Sequence, residues 1–251
     1  MQRLMTLCGS AGSVSSIMLA GAAAVSVSMS AASAQNTTSA DIIARLTTNY
    51  VYRGYTKSDD KPTAQGNVDL QRSPGYFMGM WVSSVDFGGA DLEFNPYLGK
   101  QFGLSPDWKL VGMLAGYYYD RRVSGQHVNY REFSLRLAYR DLGSLRLGVS
   151  PDYYGTGHTA YDYELELRYP LTDTVELSGT LGYQVSREAV GDDMVYGSVG
   201  IAWYIRRNLT LDLSYHDLHE TNVRSSYSGH SDIFDENYLD RPVTLSVSVG
   251  F

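Results

Sequence analysis

Three stretches of this 251-residue chain carry side chains that could do chemistry. Glu164 and Glu166 are two apart, so a strand would point both the same way. Carboxylates roughly 5 to 10 Å apart can share the work of glycoside hydrolysis. Asp212, Ser214 and His216 are the residue types of a hydrolase triad, again two apart. On a strand, Ser214 and His216 would stand about 7 Å from each other. His216-Asp217-Leu218-His219-Glu220 offers metal-type ligands. Its two histidines, three apart, would face opposite sides of a strand. Each pattern has a plainer reading. A polar strand face repeats such pairs by chance, and the histidines suit a strand end. No nucleophile elbow, Walker loop, Rossmann fingerprint, zinc knuckle or basic nucleic-acid stripe accompanies them. The preferred reading is therefore not an enzyme, with no metal and no cofactor. A barrel hydrolase is the enzymatic alternative.

The elements that hold these residues alternate with a period of two. The clearest segment sets Tyr161, Tyr163, Leu165, Leu167 and Tyr169 against Asp162, Glu164, Glu166 and Arg168. A helix would scatter those charges around its circumference; a strand gathers them on one face. Similar alternation predicts twelve strands: about 41–53, 63–71, 76–86, 91–101, 108–119, 132–140, 145–152, 161–169, 175–185, 195–203, 209–216 and 243–251. The first places Ile42, Ala44, Leu46, Tyr50 and Tyr52 opposite Arg45, Thr47, Asn49 and Arg53. The third carries Phe77, Gly79, Trp81 and Val85 on its apolar side; the fifth is apolar on both. In the last, Val243, Leu245, Val247, Val249 and Phe251 share one face and Thr244, Ser246 and Ser248 the other. A closing strand of this kind, ending in Phe251, reads as the assembly signal of an outer-membrane barrel.

The front of the chain agrees with export. Residues 1–34 hold Arg3 as their one charged residue, an apolar run from about Ile17 to Met29, and an A-x-A site at Ala32-Ser33-Ala34. This is the pattern of a secretory signal peptide, with residues 35–251 as a single barrel domain. Cys8 lies inside the leader, so the remainder has no cysteine and needs no disulfide. Beyond the leader, 19 basic residues face 27 acidic ones, a balance that disfavours nucleic acid as a partner. No stretch there approaches the roughly 20 apolar residues of a membrane helix. A membrane-spanning chain of this kind must then close as an antiparallel β-barrel.

Connections and aromatics point the same way. Short turns near 72–75, 103–107, 141–144, 170–174 and 206–208 alternate with longer polar connections at 54–61, 121–128, 155–160, 187–192 and 220–237. Gly88-Gly89-Ala90 is the one tight connection on the long-loop side. Short periplasmic turns with long extracellular loops are the outer-membrane arrangement. Among 21 tyrosines, one group lies near the long loops (Tyr50, Tyr52, Tyr117, Tyr118, Tyr119, Tyr153, Tyr161, Tyr163, Tyr183, Tyr215). A second aromatic group lies near the short turns (Tyr76, Phe102, Trp108, Tyr139, Tyr169, Trp203, Phe251). Two such bands suit the two membrane interfaces.

The stretch Thr48-Asn49-Tyr50-Val51-Tyr52-Arg53-Gly54-Tyr55 through Ser58-Asp59-Asp60-Lys61-Pro62, with Gly79-Met80-Trp81 and Val85-Asp86-Phe87, carries a resemblance. It resembles the proteobacterial Gcw-type conserved hypothetical family, also labelled TorF-type candidate porins. The likeness is densest from about Asp41 to Tyr97. It departs from the family label at Met80, where the label has cysteine. The resemblance implies an outer-membrane barrel with pore activity and supplies no catalytic residue.

With apolar faces toward lipid, the polar faces line a lumen. The expected pore-lining residues are Arg45, Arg53, Asp69, Asp91, Glu93, Glu132, Arg136, Arg140, Arg146, Asp162, Glu164, Glu166, Arg168, Glu176 and Asp212, together with Asp86 and Asp152. The arginines of strands six and seven would form a basic wall facing the acids of strands four, eight and nine. A transverse field of that kind favours polar or zwitterionic solutes. Twelve strands lie between a barrel filled by its own side chains and an open channel. The expected function is therefore an outer-membrane channel of a Gram-negative bacterium for passive diffusion of small polar solutes. A plugged structural or binding barrel is the other reading. The expected partners are membrane lipid, lipopolysaccharide, those solutes and, through the last strand, the barrel-assembly machinery.

Overall fold

Alternation builds the wall, and tight turns close it. The computed structural model describes residues 38–221, 240 and 242–251. The expected signal peptide and residues 222–237 of the last long connection lie outside that set. Fourteen strands are described. β1 (Thr38–Thr47) is followed by two short strands, β2 (Val51–Tyr52) and β3 (Tyr55–Thr56). Then come β4 (Thr63–Arg72), β5 (Tyr76–Phe87), β6 (Ala90–Gly103), β7 (Trp108–Tyr119), β8 (Tyr130–Tyr139) and β9 (Gly143–Ser150). β10 (Ala160–Pro170), β11 (Val175–Val185), β12 (Met194–Arg206), β13 (Leu209–Glu220) and β14 (Val243–Gly250) complete the chain. Twelve of them form one closed antiparallel barrel, each paired with its sequence neighbour. β14 closes on β1, with Ile43 opposite Gly250 and Thr47 opposite Ser246. Phe251 extends that seam: its N–H donates to the Ile42 carbonyl at 2.9 Å. Closure leaves no open edge, the condition for crossing lipid with strands.

The exterior is apolar and the interior polar. On β14, Val243, Leu245 and Val247 are exposed while Thr244, Ser246 and Ser248 are buried. On β10, Tyr161, Tyr163, Leu165 and Leu167 face out, and Asp162, Glu164 and Glu166 face in. An apolar surface that encircles the molecule suits lipid; in water it would aggregate. No helix among the described residues is long and apolar enough to cross a membrane.

All five short turns lie on the side where β1 begins and β14 ends, and the long connections leave the strands on the other. The exception between β5 and β6 is a two-residue turn, Gly88-Gly89, with both φ angles positive at 54° and 96°. That geometry matches the twist of a hairpin and favours glycine.

Two expectations about the wall are corrected. Strand one does not run to Arg53. It leaves the barrel after Thr47, and β2 and β3 pair separately as a small hairpin, Val51 with Thr56 and Tyr52 with Tyr55. Tyr50 and Tyr52 therefore face no lipid; both are buried inside. On β5 the faces are reversed: Phe77, Trp81, Val85 and Phe87 point inward, while Met78, Met80 and exposed Asp86 point out. Both faces of β5 are apolar, so alternation alone carried no direction there.

Candidate functional site in the barrel lumen

The lumen divides into a loop-side and a turn-side half. The loop-side half is built around the β2–β3 hairpin. Its turn is Arg53-Gly54, both with positive φ (50° and 87°). A non-glycine residue held there is strained, which points to a side chain fixed by its surroundings. The Arg53 guanidinium donates to Glu132 Oε2 on β8 at 2.6 Å and lies 3.4 Å from Asp162 Oδ1 on β10. Behind the turn, Tyr52 shares a hydroxyl–hydroxyl hydrogen bond with Tyr130 at 2.9 Å. The Tyr55 hydroxyl reaches the Met194 sulfur, and Gly54 packs on Leu218 of β13. The hairpin thus leaves the wall between β1 and β4 and touches the far strands. Arg53 and Lys57 are each 1% exposed.

Around Arg53 the charges form one network. Arg146 on β9 donates to Glu132 at 2.9 Å and to Glu164 at 3.2 Å, and bonds Asp162. The Tyr196 hydroxyl donates to Asp162 at 2.7 Å and to Glu164 at 3.0 Å. Ions out of water are costly unless paired and hydrogen-bonded, and here two guanidiniums face three carboxylates. Nearer the loops, the Lys57 ammonium donates to both Glu93 oxygens, at 3.0 and 3.1 Å, and to the Tyr119 hydroxyl oxygen at 2.8 Å.

The described long connections, at 120–129, 151–159 and 186–193, cover this half. Val123, Val128, Tyr153, Tyr154, Ala189 and Val190 all turn inward and are buried. The loop-side tyrosine group therefore splits. Tyr161, Tyr163, Tyr183 and Tyr215 face outward as an interface band, whereas Tyr50, Tyr52, Tyr117, Tyr119 and Tyr153 belong to the interior. In the turn-side group, Tyr76, Phe102, Trp108, Tyr169, Trp203 and Phe251 are exposed as expected.

The turn-side half is more open. Arg136 pairs with Glu166 at 3.3 Å, and Arg168 donates to Glu166 at 2.7 Å and lies 3.9 Å from Glu176. The Arg136 and Glu166 side chains keep 18% and 11% exposure, against 3% for both Arg146 and Asp162. On the opposite wall, Arg45 on β1 donates to its neighbour Ser248 on β14 at 3.0 Å, and Tyr97 on β6 donates to Asp69 on β4 at 3.1 Å. Asp212 accepts from Ser214 at 2.9 Å.

Of the expected lining residues, Arg45, Asp69, Glu93, Glu132, Arg136, Arg146, Asp162, Glu164, Glu166, Arg168, Glu176 and Asp212 face the interior. Arg53 does too, but from the hairpin and not from the wall. Four residues fall elsewhere. Asp91 sits on the rim, 2.7 Å from Arg121, and Asp86 faces out beside Lys61. Asp59 and Asp86 hold the Lys61 ammonium above its usual range by hydrogen bonding. Arg140 lies in a short turn, where Asp107 at 2.8 Å raises its pKa by hydrogen bonding. Asp152 is in a loop, accepting from the Gly157 N–H at 2.7 Å. The opposed basic and acidic walls are also corrected. Arg146 on β9 is the direct cross-strand neighbour of Glu164 on β10. Acids and bases sit side by side on adjacent strands instead of on opposed walls.

The catalytic patterns do not assemble. Glu164 is engaged by Arg146 and Tyr196, and Glu166 by Arg136 and Arg168. The Ser214 hydroxyl donates a hydrogen bond to Asp212, while His216 bonds Thr244 at 3.0 Å, so no serine–histidine–acid relay forms. His216 turns inward and His219 outward. Sequence reasoning missed Lys57, Tyr97, Tyr196 and Tyr204 as interior partners. The signal for Lys57 was present: Tyr52-Arg53-Gly54-Tyr55 has the form of a tight hairpin, a two-residue turn with glycine second.

The family model described as a bacterial protein of unknown function (Gcw_chp) matches residues 29–248. The chain belongs to this family. No curated protein matches it. Among solved structures, the Gcw_chp chain is similar to the KdgM porin, with a TM-score of 0.55 at 10% identity over 84% of this chain and 98% of that one. The same figures hold for the KdgM porin in complex with disordered oligogalacturonate. The NanC porin gives a TM-score of 0.50 at 8% identity, again over 84% and 98%. At such identities the likeness is one of fold. That fold and the apolar exterior point to a Gram-negative outer membrane.

Proposed function

We propose that this Gcw_chp protein is a porin-like outer-membrane channel for passive diffusion of small polar solutes, with the loop-side half of the lumen as its constriction. The observation that carries this reading is a closed twelve-stranded barrel with charged and hydroxyl side chains inside and apolar ones outside. Water and polar solutes find hydrogen-bonding partners along such an interior, and lipid is kept out of it. The similarity of fold to porins supports the same reading.

A specific observation favours a second reading, a plugged structural or binding barrel. The β2–β3 hairpin reaches across the loop-side lumen, and its charged side chains are fully buried. One experiment separates the two. The protein is refolded and inserted in a planar bilayer, beside a variant whose residues 50–58 are replaced by a Gly/Ser linker. Discrete conductance steps from the unaltered protein support the channel. Silence from it, with steps from the linker variant, supports the plugged barrel. Silence from both, with insertion verified, overturns the channel.

Assembly is expected to depend on the closing strand. Deleting Phe251 removes an outward aromatic and the last backbone bonds to β1. The expected outcome is a lower level of folded protein in outer-membrane fractions. An unchanged level would remove Phe251 as the assembly signal.

A further inference from the structure

The loop-side half contains a site that the channel reading does not use. The Lys57 ammonium nitrogen lies 4.0 Å from the centroid of the Tyr52 ring. It is also within 6.0 Å of the ring centroids of Tyr50, Phe87, Tyr117, Tyr119 and Tyr154. Aromatic faces attract cations at such distances, and more strongly when water is excluded. Glu93 supplies the counter-charge, itself fixed by the Asn95 amide at 3.0 Å. Tyr50 and Tyr52 belong to the inward segment, while Phe87, Tyr117, Tyr119, Tyr154 and Glu93 come from the wall and its loops. Tyr154 is held at φ 52°, a left-handed conformation that a tyrosine rarely adopts. As at Arg53, a positive φ here accompanies a buried interior side chain.

We propose that this aromatic cage is a binding site for the primary ammonium group of a small organic amine, and that Lys57 occupies it as a tethered ligand. The hydrogen bonds specify the class. Lys57 makes three N–H contacts there, two to Glu93 and one to Tyr119. A primary ammonium ion can make all three; a quaternary one can make none and keeps only the cation–π attraction. Occupation by a residue of the inward segment ties the site to the plug: an external amine enters the cage only where Lys57 has left it. The inference rests on the geometry of the cage and not on conduction.

The test uses the refolded protein without its leader, in detergent micelles, titrated with methylammonium chloride by calorimetry. Tetramethylammonium and sodium chlorides serve as comparisons. The unaltered protein is expected to show no saturable binding, because Lys57 fills the cage. Lys57→Ala is expected to bind methylammonium saturably and more tightly than tetramethylammonium. Adding Glu93→Gln should weaken that binding by about tenfold or more, the size of a hydrogen bond to a charged group. Absence of saturable binding in Lys57→Ala, equal binding of the two ammonium ions, or indifference to Glu93→Gln would each overturn the assignment. Should Lys57→Ala fail to refold, its yield is measured in each salt. Recovery with methylammonium but not with sodium supports the site, and no recovery overturns it. Because the readout is binding, a barrel that binds methylammonium but conducts nothing would reject the channel and keep the cage.

Discussion

The two halves of the lumen use similar residues to different ends. In the loop-side half, Arg53 and Arg146 meet Glu132, Asp162 and Glu164 with almost no solvent, under a lid of inward-turned tyrosines. In the turn-side half, Arg136 and Arg168 meet Glu166 and Glu176 with water still at hand. The same pairing is structural in the first setting and accessible in the second. Burial raises the cost of removing one partner, because the other is left charged without solvent. Exposure lowers that cost and leaves the charge available to a passing ion. The difference between the halves is therefore one of solvation and not of composition.

The comparison can be broken in stages. Arg146→Ala should have the largest effect. It leaves three buried carboxylates with Arg53 as the one cation still in their network, and breaking a buried pair of this kind costs about 3 to 5 kcal/mol. Urea unfolding of the inserted barrel measures this; a loss like that of an exposed pair would mean that water reaches the network. Arg53→Gln comes next, at about 2 kcal/mol for a hydrogen bond to a charged group. It also releases the turn that Arg53 strains, so protease cleavage within residues 50–58 should rise. No change in cleavage would show that the aromatic contacts alone retain the hairpin. Arg136→Ala should change stability by about 1 kcal/mol or less, since its pair is partly solvated. In a conducting barrel it should shift ion selectivity toward cations, read as a reversal potential under a salt gradient. Lys61→Ala, at the exposed rim, is expected to leave both stability and reversal potential unchanged.

Much of this was legible in the sequence. Strands such as β10, β13 and β14 carry strict alternation, and a barrel in lipid admits one answer for it: apolar side out. Turn lengths then set the up-and-down order and the even number of strands. Where alternation lacked polarity, as on β5 and β7, facing could not be read. On β5 it is settled by packing, with Trp81 turned in against Tyr50 at 5.1 Å between ring centroids. The segment after Thr47 continued the alternation of β1 in sequence, yet it leaves the wall. Its partners lie about 80 to 140 positions away: Tyr130 and Glu132 on β8, Met194 on β12. A local pattern holds no record of contacts at that separation.

The sequence alone determined that this is a closed barrel, which face of most strands meets lipid, and that most of the strand charges lie within. Each of these follows from a period of two and from the rule that lipid satisfies no backbone polar group. The tertiary structure decided how those charges are used. It set acids beside bases on adjacent strands, moved Asp91 and Arg140 to the rims, and drew Arg53 and Lys57 into the lumen. The reason is physical. Facing is a property of one strand, whereas pairing and burial depend on which strands and loops close around the same space.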